Sequence, residues 1–153
     1  MKRIELMQRY LNEKHRTTLV HEQYLNTQRE YAPGTSLYMR EIHFLVALGP
    51  DNPASISSLA QRLEVTPGAV SQLAARLENK GYITRTPDPE NRRRTLVSLT
   101  EEGRRLYLEH LDYDQASLSR LSAFFEDFSD TEIQRMIDAE IIFQQALRSR
   151  FPE

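Results

Sequence analysis

The chain contains no cysteine among its 153 residues. That absence excludes disulfides, thiolate nucleophiles, thiol-based redox sensing and cysteine-ligated zinc. No stretch approaches the roughly 20 apolar residues that a membrane-spanning helix needs. The opening residues Met1-Lys2-Arg3-Ile4-Glu5 are charged and lack the apolar run of a secretory leader. The expected compartment is therefore the cytoplasm. There is no glycine-rich phosphate loop, no dense acid/base cluster around a histidine, no internal repeat and no low-complexity tract. The usual sequence grounds for an enzyme are missing. What remains is an ordinary apolar fraction, 39%, enough for one domain with a real core.

Charge is unevenly distributed. The net value of -2 hides a split along the chain. Residues 55–105 carry nine Lys/Arg against six Asp/Glu, whereas residues 106–153 carry four against ten. A basic middle followed by an acidic tail suits a protein whose central segment meets a polyanion.

Apolar spacing predicts a long helix over residues 4–31, through Ile4, Leu6, Met7, Leu11, Leu19, Val20 and Tyr24. Ala32-Pro33-Gly34 should end it. Thr35 or Ser36 is placed to cap a second helix reaching Leu48, before Gly49-Pro50. Two short helices follow, at about 56–63 and 67–80. Thr66 is a good N-cap for the second of these, Pro67 suits its first turn, and Gly81 suits its end. Strand-like runs at Tyr82-Ile83-Thr84-Arg85 and Thr95-Leu96-Val97-Ser98-Leu99 flank a Pro/Asp/Arg-rich tip. Thr100 should cap a helix to about Phe125, and Ser129-Asp130-Thr131-Glu132 reads as a capping box opening a last helix to about Ser149. The expected class is mainly α with a small β-hairpin wing, a winged helix-turn-helix with N- and C-terminal dimerisation helices. The terminal helices carry more apolar surface than the central lobe needs, so a homodimer is expected, the alternative being that they pack on the core of a monomer.

That layout places one helix in the major groove of double-stranded DNA and one loop in the minor groove. In the helix at 67–80, Val70, Leu73, Ala74 and Leu77 share one face. Gly68, Ser71, Gln72, Ala75 and Arg76 fall on the other. Pro67 and Gly68 allow close approach of the helix start, where Thr66 sits and N–H groups can meet phosphate. Gln72 has the amide to pair with adenine, and Arg76 the guanidinium for guanine or phosphate. The bland alternative for Ser71 and Gln72 is a solvated helix face. The tip at 86–94 ends in Arg92, Arg93 and Arg94, which have no packing reason to be consecutive there. They can enter the minor groove or clamp phosphates. Ser57 and Arg85 complete the candidate DNA-binding set.

These pieces resemble the MarR family of bacterial transcriptional regulators. The matching runs include Ser57-Ser58-Leu59-Ala60-Gln61-Arg62-Leu63, Ala69-Val70-Ser71-Gln72-Leu73 and Arg76-Leu77-Glu78-Asn79-Lys80-Gly81-Tyr82-Ile83. The most specific is Asp88-Pro89-Glu90-Asn91-Arg92-Arg93 followed by Leu96-Val97-Ser98-Leu99-Thr100-Glu101-Glu102-Gly103. The resemblance implies a single domain over 1–153, with dimerisation helices at 1–34 and 105–150 around a winged-helix lobe at 36–103. It implies a homodimer on a pseudo-palindromic operator, expected to repress, with Arg93 entering the minor groove and Arg92 supporting it. The family usually has Asp where Asn91 stands. Asn supplies no charge to brace the arginines, which predicts a less firmly held wing.

An effector site is open to three readings. His110 and Asp114, at i and i+4, share a helix face, and His43 lies on the second helix. With Glu22 or His21 as a fourth ligand they match the chemistry of a zinc site. The resemblance places them near the ligand positions of the family's zinc-responsive repressors, with Asp114 where those carry His. Glu41-Ile42-His43 also resembles the family's fatty-acid-synthesis repressors, which implies an acyl or other organic ligand. The third reading is that these are satisfied structural residues. At the level of function, an enzyme would not need the arginine tip, and a winged-helix module used only for protein contacts would not keep it.

Overall fold

The computed structural model describes residues 2–51 and 53–150 of the chain. They form two compact units, divided between Leu111 and Asp112. In the first, helix α1 (Arg3–Leu25) precedes a hairpin of β1 (Gln28–Ala32) and β2 (Thr35–Tyr38). Helix α2 (Met39–Leu48), β3 (Ala54–Ser55), α3 (Ile56–Leu63), α4 (Pro67–Asn79), β4 (Ile83–Pro87) and β5 (Thr95–Leu99) follow, then the start of α5 (Glu101–Phe125). The three-stranded sheet is antiparallel in the order β3-β5-β4. Among the described residues no helix is long and apolar enough to cross a membrane.

The expected helix over 4–31 stops at Leu25, and the expected second helix starts at Met39 rather than Thr35 or Ser36. The reason is visible in the pattern. Helical apolar spacing ends at Tyr24, and the next residues pair instead, Arg29 with Leu37 and Ala32 with Thr35. Pro33 and Gly34 occupy the turn. Pro presets the first central residue and Gly34, at φ 78, takes the left-handed second one. Met39 N–H then bonds Thr27 carbonyl at 3.0 Å, closing the hairpin onto the chain that entered it.

The core sits in the lobe built by α2, α3, α4, the sheet and the start of α5. Leu37, Ile42, Phe44, Leu45, Leu59, Ala74, Leu77, Val97 and Leu106 are wholly buried there. The β-branched Ile83 and Val97 suit the pleated sheet, and Leu106 brings α5 down onto it. Thr100 Oγ1 accepts the Gly103 N–H at 3.1 Å, opening α5. Gly103 has a separate duty. A Cβ there would lie 1.9 Å from the Tyr82 carbonyl oxygen, so only glycine lets α5 cross the strand start.

The second unit contains the end of α5 and α6 (Asp130–Arg148). Ser129 Oγ accepts the Glu132 N–H at 3.3 Å, and the Glu132 carboxylate accepts the Ser129 N–H at 2.9 Å. The predicted capping box is present, and the Ser129 hydroxyl, donating to the Glu132 carboxylate at 2.7 Å, with the Ser129 N–H beside it, holds that carboxyl below the usual carboxylate range. Phe124, Phe125 and Phe128 cluster around the turn with ring centroids 5.2–5.9 Å apart.

Candidate nucleic-acid interface

The turn between α3 and α4 is made locally. Glu64 takes the left-handed conformation, φ 53, and the Val65 N–H bonds Ala60 carbonyl at 3.1 Å. Thr66 Oγ1 then accepts the Ala69 N–H at 3.2 Å, and Pro67 costs nothing at the first helical position. Val70, Leu73, Ala74 and Leu77 are buried, as their spacing predicts. Gly68, Ser71, Gln72 and Arg76 are exposed. Gly68 meets nothing closer than Thr66 Oγ1 at 4.0 Å from an added Cβ. Packing within the chain therefore does not require glycine at the exposed start of α4. Ser57, exposed on α3, lies beside the Ser55 hydroxyl that caps that helix, 3.1 Å away.

The wing is tied down by an acid that sequence reasoning passed over. Asp88 is buried at the base of the loop. Its carboxylate accepts the Glu90 N–H at 2.9 Å and lies 3.7 Å from Arg94 Nε, while its own N–H bonds Arg94 carbonyl at 3.0 Å. Asn91 contributes as well. Its Oδ1 accepts the Arg93 N–H at 3.1 Å and its carbonyl the Arg94 N–H at 2.8 Å. Asp88, three residues before Asn91, thus supplies a negative charge at the root of the loop, beside Arg94. The signal was present in Asp88-Pro89-Glu90, where an Asp side chain closes a turn on the backbone two residues on. The three arginines consequently differ. Arg94 is engaged at the base, while Arg92 and Arg93 are exposed and no carboxylate among the described residues pairs with them.

Arg85 is also engaged. Its Nε and Nη2 lie 2.7 and 2.5 Å from the same Glu78 oxygen. The hydrogen-bonded guanidinium holds the Glu78 carboxyl below the usual range, and the pair links α4 to β4. No local pattern announces a contact between residues seven apart on a helix and a strand.

Of the effector candidates, the structure brings His43 and His110 together. His110 is wholly buried, with its Nδ1 2.9 Å from the Tyr31 hydroxyl, so it joins the hairpin to α5. His43 is half-buried, its ring 5.5 Å from that of His110 and 5.9 Å from that of Tyr24. Glu22 is exposed and faces Arg40 at 3.5 Å. Asp114 lies on the part of α5 that belongs to the second unit. Among the described residues no three His, Asp or Glu side chains gather into a metal-holding set. Glu22, His21 and His43 instead line an open cleft of about 460 Å³ whose far wall includes Gln72 and Arg76 of α4.

Comparison with known proteins gives a consistent answer. The family model described as MarR family matches residues 37–95, from the end of β2 to the start of β5. The uncharacterized HTH-type transcriptional regulator YhjH of Bacillus subtilis (strain 168) is 28% identical over 123 residues, covering 80% of this chain and 69% of its own. A transcriptional regulator of the MarR family from Rhodococcus sp. RHA1 has a crystal structure 31% identical over 67% of this chain and 71% of that one, with a TM-score of 0.53. FabT of Streptococcus pneumoniae, crystallised in complex with DNA, is 25% identical with a TM-score of 0.65, covering 95% of this chain and 98% of that one.

Proposed function

The chain belongs to the MarR family of DNA-binding transcriptional regulators, which are not enzymes, and on that premise we propose that it is a homodimeric repressor of a pseudo-palindromic operator. Helix α4 enters the major groove with Ser71, Gln72 and Arg76, while Thr66, Pro67 and Gly68 bring its start against the backbone. The wing enters the minor groove with Arg93 and Arg92, and Arg94 stays with Asp88 as the root of the loop. Ser57 and Arg85 are peripheral phosphate contacts, Arg85 partly neutralised by Glu78. The observation that carries this reading is the pairing of an exposed α4 face with two exposed, uncompensated arginines on a braced wing. Helices α1 and α6 supply the dimer contact. Ile4, Leu6, Met7 and Leu11 on α1, with Ile137, Ile141 and Ile142 on α6, expose apolar surface that a second copy would cover.

Fluorescence anisotropy on the duplex upstream of its own gene tests the reading, with a scrambled duplex as control and two salt concentrations. Saturable binding at about 0.15 M salt, well above the control, is expected, since non-specific contact collapses with salt whereas base reading keeps a preference. Equal and salt-collapsing binding to that duplex and to a library of genomic fragments would leave a winged-helix module with no specific DNA function.

A further inference from the structure

Helix α4 is buried along its apolar face, but its ion pairs to other elements lie at its C-terminal end. Its start is exposed and relies on the Thr66 cap. At its end, Lys80 Nζ lies 2.8 Å from both carboxylate oxygens of Glu41 on α2. Glu41 is 3% exposed, and the same carboxylate accepts the Tyr38 N–H at 3.0 Å. A carboxylate taken out of water needs its charge and its lone pairs met. Lys80 supplies the charge and Tyr38 an N–H. One side chain thereby joins the end of β2, the first turn of α2 and the end of α4. The apolar face of α4 also resists movement by close packing, but it supplies no directed bond between α4 and the first turn of α2. The other tie at this end, Glu78–Arg85, is about one-third exposed on both sides, where water weakens it.

We propose that Glu41 is a positioning residue for DNA reading. Through Lys80 it sets the tilt and rotation of α4, and so governs how well the protein distinguishes its operator from other DNA, without touching DNA itself. This rests on the DNA-reading role of α4 proposed above. Charge alone makes the opposite prediction. Removing a negative group from the lobe should tighten binding to any duplex, whereas a misaligned α4 should lose operator affinity selectively.

The test is Glu41→Gln in the full chain, measured by anisotropy on the operator duplex bound by the unaltered protein and on a scrambled duplex. Operator affinity should fall about tenfold, with scrambled affinity unchanged or slightly higher. Pairing Glu41→Gln with Lys80→Gln makes a neutral hydrogen-bonded tie and should restore most of the discrimination. Lys80→Met, which cuts the tie from its more exposed end, should lose the same discrimination and serves where Glu41→Gln melts below the assay temperature. Equal tightening on both duplexes, or unchanged discrimination in Glu41→Gln or Lys80→Met, overturns the proposal. An unaltered protein that never prefers one duplex overturns the DNA-reading role itself, a distinct result.

Discussion

Helix α2 has ten residues and buries six of them, while α1 with 23 and α6 with 19 bury none. All three show apolar residues at helical spacing, so periodicity does not separate them. The difference lies in their surroundings. The buried apolar side chains of α2, Met39, Ile42, Phe44, Leu45 and Leu48, belong to one core cluster with Leu37, Leu59, Leu77 and Val97 of the same lobe. On α1 and α6 the apolar stripe reaches solvent in the single chain. An amphipathic helix gains stability only where something covers its apolar face. The lobe covers its own helices. The terminal helices, on the reading above, are covered by a second copy, so one half of the molecule is built to fold and the other to assemble.

That contrast can be broken by substitution. Leu45→Ala in the lobe should cost about 2–5 kcal/mol, read by chemical denaturation, and the loss should not depend on protein concentration. The double substitution Ile137→Glu with Ile141→Glu should spare the lobe but yield monomers by light scattering. Operator affinity should then fall about a hundredfold, because each lobe binds its half-site alone. Binding at full strength by a monomer would sink the assembly role of α6. Arg93→Ala should leave melting and dimerisation unchanged while weakening DNA binding by about 1–3 kcal/mol, measured by anisotropy. An unchanged affinity would remove the wing from the mechanism.

The smallest expected effect tests α6 alone. Ser129→Ala removes an N-cap and should lower the melting temperature by about 2 °C. It should also flatten a pH dependence. Glu132 is held below its ordinary pKa in the folded chain, chiefly by the Ser129 hydroxyl. Its contribution is complete above the unfolded pKa and is lost as pH falls through the lowered folded value. Acid scans of the two proteins should therefore converge at low pH, and parallel curves would show that the cap does not carry this linkage.

Much of the interface was legible because it is local. The turn at Glu64-Val65, the Thr66 cap, the α4 faces and the Ser129-Glu132 box each depend on residues three to five apart. The arginine tip was legible by composition. The hairpin at 28–38 was misread as helix ends, although Pro33-Gly34 between Tyr31 and Thr35 is turn chemistry between strand formers. Asp88 is inconspicuous in the sequence because the run Arg92, Arg93 and Arg94 is the stronger compositional signal of the loop. The Tyr31 partner of His110 lies 79 residues away, where no sequence pattern points to it.

The sequence by itself determined the order of elements in the lobe, the helix caps, the exposed face of α4 and the family. Those rest on short-range geometry and on a motif with fixed spacing. Only the tertiary structure decided which charges are committed and which are available. Arg85 is engaged by Glu78, Arg94 by Asp88 and Lys80 by Glu41, whereas Arg92 and Arg93 are left exposed. Ion pairs between separate elements follow from how those elements pack, and the periodicity of a single segment carries no record of its neighbour.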